Sequence, residues 1–119
     1  ELNTRGLEGV YFVPKYYMSS VAQKNGLPGE ILLCDGVMMV IHDRNIWRPV
    51  NTQLHIIDAM IKLYPDILNL ERSGGGRVRM GTDKICDAAL CRESLQPVME
   101  RWHRGAEEFK KRREKYLLY

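Results

Sequence analysis

In the first fifty positions, apolar residues come in short blocks bounded by turn-forming residues. After Asn51 they recur every third or fourth position. The first pattern is that of strands and the second that of helices. Leu7 to Met18 is rich in Val, Tyr and Phe and reads as an extended segment, which Pro14 confines to an edge or a bend. Asn25-Gly26-Leu27-Pro28-Gly29 is a dense turn signal. Glu30 to Cys34 then reads as a strand, Asp35-Gly36 as a two-residue hairpin turn and Val37 to His42 as the return strand. Asp43-Arg44-Asn45 reads as a second turn, and Ile46 to Val50 as a third strand of this group. Val37 to Ile41 is apolar at every position, which predicts cover on both faces, with the helices as the cover.

Asn51 or Thr52 is placed to cap a helix beginning near Gln53, with Leu54, Ile57, Ile61 and Tyr64 on one face. Pro65 ends or kinks it and can open a short second helix, Asp66 to Leu70. Ser73-Gly74-Gly75-Gly76 is a break. Thr82 or Asp83 can cap a helix running to about Cys91, and Ser94 the last one, with Pro97 in its first turn. Leu95, Val98, Trp102, Ala106, Phe109 and Tyr116 form a stripe on that long amphipathic helix. Glu100/Arg104, Glu107/Lys111 and Glu108/Arg112 are supporting i,i+4 pairs. The expected fold is a single α+β domain of 119 residues. A three- to four-stranded antiparallel meander over 1–50 packs against helices over 51–119, the last of them long and projecting.

Composition agrees with an ordinary globular domain: 45% hydrophobic and 28% charged residues make disorder of the whole chain a poor description. No apolar run approaches the ~20 residues that span a bilayer. Glu1 to Arg5 lacks the apolar core of a signal peptide. The chain starts without Met, so it is expected to be a processed product, an expressed fragment or the ordered part of something longer. Three cysteines, Cys34, Cys86 and Cys91, argue against a disulfide framework and favour a reducing compartment. The net charge of +3 arises entirely after residue 50, where thirteen basic side chains face ten acidic ones.

Two basic regions follow from that distribution. Arg72, Arg77, Arg79 and Lys84 surround the glycine run, where backbone N–H groups and guanidinium forks suit a phosphate. The spacing matches neither a P-loop nor G-x-G-x-x-G, and a surface loop is the favoured reading. Lys110, Lys111, Arg112 and Arg113 load the end of the last helix, where positive charge complements the helix dipole and the interspersed acids favour a solvated face. Cys86-x₄-Cys91 is not a zinc spacing, because residues five apart on a helix diverge. Cys34 and His42 fall at opposite ends of the expected hairpin, and His55/Asp58 lacks a nucleophile nearby. Asp66, Glu71 and Asp83-Lys84 lack the tight acid-x-Lys unit of metal nucleases. No cofactor and no metal are expected.

Gly29-Glu30-Ile31-Leu32-Leu33-Cys34-Asp35-Gly36-Val37-Met38-Met39-Val40-Ile41-His42-Asp43-Arg44-Asn45-Ile46-Trp47-Arg48-Pro49-Val50 resembles a recurring β-meander of bacteriophage tail and virion proteins. There a strand opening on Gly and an acid leads to an apolar return strand, and a polar turn precedes a Trp and a closing Val. The resemblance spans about a fifth of the chain. It departs at the second turn, which usually contains Gly and here reads Asp43-Arg44-Asn45. It implies a virion assembly component. The leading expectation is therefore a non-enzymatic interaction module in a homo- or hetero-oligomer, meeting partner subunits through Trp47, Tyr16, Tyr17, Trp102, Phe109 and Tyr116. The alternative is a nucleic-acid-binding domain using Arg72, Arg77, Arg79, Lys84 and the basic helix. A metal-dependent hydrolase or nuclease using Asp66 or His55 ranks third. No membrane partner is expected.

Overall fold

The computed structural model describes residues 1–20, 31–66, 68 and 80–117. Among them the class is α+β, with one two-stranded antiparallel sheet and three α-helices, of which the last is long. The chain divides into two compact units, Glu1–Arg48 and Pro49–Tyr119.

The first unit is a ribbon. Strand β1, Val10–Ser20, pairs with β2, Ile31–Ile41, in a register that sets Val10 against Ile41 and Tyr17 against Cys34. A short 3-10 turn, Leu2–Arg5, is clipped to β1 by Asn3, whose side chain exchanges two 2.9 Å hydrogen bonds with the backbone of Phe12. Pro14 sits inside β1 opposite Val37, a place open to it because each strand of a two-stranded ribbon is an edge.

The expected meander is corrected at two places. Asp35-Gly36 is not a turn: both residues lie within the continuous β2, opposite Tyr16 and Lys15. Gly36 lacks a side chain for a different reason. A Cβ there would stand 2.6 Å from Cε1 of Tyr17, so the missing side chain makes room for that ring. Ile46 to Val50 is not a strand either. Residues 44–46 form a turn, and α1, Pro49–Leu63, starts at Pro49, whose fixed φ suits a first helical position. Thr52, a candidate cap, is instead buried within α1. Val37, Met38 and Met39 are exposed, contrary to the expected two-sided cover. The turn signal at Asn25 to Gly29 lies outside the described residues.

The second unit is helical. Helix α1 buries Leu54, Ile57 and Ile61 as expected, while Tyr64 beyond its end is exposed. Most of the short helix expected over Asp66 to Leu70 lies outside the described residues. Helix α2, Lys84–Cys91, follows Asp83 in the capping position; the side-chain acceptor there is Thr82, whose hydroxyl receives the Lys84 N–H at 3.3 Å. It stops at Arg92, which takes the left-handed conformation at φ 59°, and the Glu93 N–H returns to the Ala88 carbonyl at 2.8 Å. Helix α3 is Gln96–Arg113. Ile85, Ala88, Leu95 and Met99 complete one core with the α1 residues, and Val98 and Trp102 pack at its margin. Each large side chain removed from water there contributes about 1.5–3 kcal/mol. The apolar stripe of α3 leaves the core after Trp102, since Ala106 and Phe109 are exposed.

The start of α3 is fixed from another helix. Asp58 of α1 accepts the Leu95 N–H at 2.7 Å and the Ser94 hydroxyl at 3.0 Å. Ser94 in turn accepts the Gln96 N–H at 3.2 Å. The three cysteines occupy three environments: Cys86 is buried, Cys34 half-buried and Cys91 exposed. No helix among the described residues is long and apolar enough to cross a membrane.

Candidate functional site

The six aromatic residues expected to meet partners are divided between the units. Tyr16 and Tyr17 lie on β1, on opposite faces of the ribbon, and both are exposed. Trp47 is half-buried just before α1. Trp102 packs against the helical core, which gives it a structural task. Phe109 is exposed on α3, and Tyr116 beyond it is exposed with the Lys115 ammonium 5.0 Å from its ring centre.

The basic candidates fall partly outside the described residues. Arg72, Arg77 and Arg79 lie outside the described residues, and Lys84 is an exposed residue opening α2. Lys110, Lys111, Arg112 and Arg113 are exposed at the end of α3. Lys110 meets Glu107 at 2.5 Å, three residues earlier, and this hydrogen bond together with its charge holds the Glu107 carboxyl below its ordinary value. Two of the acids considered for catalysis have partners of their own. Asp66 pairs with Arg92 at 2.5 Å, and Asp58 caps α3.

A set of residues that the sequence reading left scattered comes together at the base of the ribbon. The Gly9 carbonyl accepts the N–H groups of His42 and Asp43, at 3.0 and 3.3 Å. Gly9 has φ 74°, and a Cβ there would lie 2.4 Å from the Asp43 carbonyl oxygen and 2.8 Å from the Trp47 nitrogen. Only glycine permits that approach. The turn closes on itself: Trp47 N–H donates to the Asp43 carbonyl at 3.1 Å, and the Asp43 carboxylate accepts the Asn45 N–H at 2.9 Å. Arg48 braces it from outside through a 3.0 Å bond to the Asn45 carbonyl. Beside this rigid corner, Tyr11 and His42 place their rings 6.0 Å apart at 34°. Tyr11, His42, Arg44 and Asn45 are all exposed.

Such a corner can bind. It sets the Tyr11 and His42 rings side by side, next to the turn that carries Arg44 and Asn45. The pairing register was the missing signal. The sequence does not fix which strand pairs with Leu7 to Met18; the register of β1 against β2 brings His42 beside Tyr11.

The family model described as Exo-beta-N-acetylmuramidase NamZ, C-terminal, matches residues 1–119. The chain is similar to the peptidoglycan beta-N-acetylmuramidase NamZ of Bacillus subtilis (strain 168), with 26% identity over 118 residues, which is 99% of this chain and 27% of that protein. The chain thus spans about a quarter of the length of the curated relative it matches. No solved structure matches it. These matches overturn the expectation of a non-enzymatic virion assembly module, and with it the nucleic-acid-binding alternative: the match is to a muramidase family, an enzyme family. The phage resemblance rested on two tight turns and a third strand, and the structure has neither a turn at Asp35-Gly36 nor a strand at Ile46 to Val50.

Proposed function

The chain belongs to the family of the exo-β-N-acetylmuramidase NamZ C-terminal region, and from that premise we propose that it is part of an enzyme that releases N-acetylmuramoyl residues from the ends of peptidoglycan glycans. The observation that carries this reading is the family match along the whole of residues 1–119. Within the enzyme, the corner of Tyr11, His42, Arg44 and Asn45 holds the sugar. The Tyr11 ring stacks on the pyranose. Arg44 suits the carboxyl of the lactyl ether that distinguishes a muramoyl residue from glucosamine.

Glycoside hydrolysis ordinarily takes two carboxyl groups set about 5–9.5 Å apart. In the ribbon unit Glu1 is bound to Arg5 and Asp43 to its own turn, so these acids shape structure. This chain is assigned to substrate positioning, and the acid and base of the reaction to the rest of the enzyme.

The test uses the full-length enzyme with a chromogenic β-N-acetylmuramide and with peptidoglycan fragments. The expected result is stepwise release of N-acetylmuramic acid. Tyr11→Ala and Arg44→Ala should each raise KM about tenfold, equivalent to about 1.4 kcal/mol, with little change in kcat. Absence of release sinks the activity. Release with both KM values unchanged sinks the role of the corner.

A further inference from the structure

The outer half of the ribbon is apolar on both faces. Tyr16, Met18, Leu33 and Val37 share one face by their register and are 70%, 75%, 74% and 62% exposed. Tyr17 and Met38 are exposed on the other. Lys15 and Asp35 are the charged residues among Pro14–Met18 and Leu33–Val37. A two-stranded ribbon is marginal in water without a third strand or a packed face. An open strand edge also presents a row of unpaired N–H and C=O groups. Clustered exposed apolar residues of this kind are the mark of an interaction surface.

The matched relative contains far more chain than this one, since the aligned region is 27% of it and the family description places that region at the C-terminus. We propose that the outer ribbon, Pro14–Met18 with Leu33–Val37, is the docking surface for the part of the enzyme that precedes residue 1. That part covers the apolar faces and adds backbone hydrogen bonds along an edge strand. The inference rests on the family reading for the existence of that part, and not on what the enzyme cleaves.

Hydrogen exchange compares the full-length enzyme with the 119-residue chain. Amides of residues 15–18 and 33–37 should exchange on the order of 100-fold more slowly in the full-length enzyme. Tyr16→Lys with Leu33→Lys in the full-length enzyme should abolish that protection and leave the amides of α1, α2 and α3 unchanged. Should that variant not fold, Leu33→Thr keeps a strand-forming residue and should lose part of the protection. Equal exchange in the two proteins overturns the proposal. So does protection in the 119-residue chain alone that rises with its concentration, which would make a second copy the occupant. Protection without muramoyl release leaves docking standing and removes the substrate reading; release without protection does the reverse.

Discussion

Asp58 is a single carboxylate doing the work of a helix cap from another helix. Its Oδ1 receives the Leu95 N–H at 2.7 Å and the Ser94 hydroxyl at 3.0 Å, at the end of α3 where unsatisfied N–H groups and the helix dipole both favour negative charge. Asp58→Ala should therefore lower stability by about 1–2 kcal/mol, and Asp58→Asn by less, because the amide keeps an acceptor without the charge. Thermal unfolding followed by far-ultraviolet circular dichroism checks both. This role was not legible in the sequence. There Asp58 reads as the i,i+3 neighbour of His55, whereas the groups it caps are 36 and 37 residues away. Gly36 carries a similar lesson: beside Asp35 it reads as a turn, and only the position of the Tyr17 ring explains it.

At the scale of elements, the helices were read more accurately than the strands. The spacing of Leu54, Ile57 and Ile61 identifies the buried face of α1, and Thr82-Asp83 and Ser94-Leu95 mark where α2 and α3 start. These are local signals, set by residues within one or two turns. The strands failed where the answer depended on pairing at a distance. Asp35-Gly36 has the chemistry of a tight turn, but continuous pairing of β2 with β1 keeps it extended. Helix α2 offers the sharpest test of the core. Ile85 is completely buried between α1 and α3 residues, so Ile85→Ala should cost about 2–5 kcal/mol. Chemical denaturation of the two proteins, read at the midpoint, measures it; a loss below 1 kcal/mol would contradict this packing.

At the scale of the molecule, class was legible and function was not. The chain divides into its two compact units at Arg48/Pro49. The candidate site was hidden because it joins residues 9–11 with 42–48, and those segments meet only through the register of the ribbon. Tyr11, Arg44 and Asn45 are ordinary surface residues until Gly9 lets the turn close beside them. The family match, rather than any motif, is what identifies the enzyme family. One feature of the fold also makes its own assay. Because Cys91, Cys34 and Cys86 descend in exposure, iodoacetamide should label them in that order under native conditions, with Cys86 reacting only as the helical core opens. The Cys34 rate should fall again once the outer ribbon is covered in the full-length enzyme, so that one unmodified thiol records docking while another records unfolding.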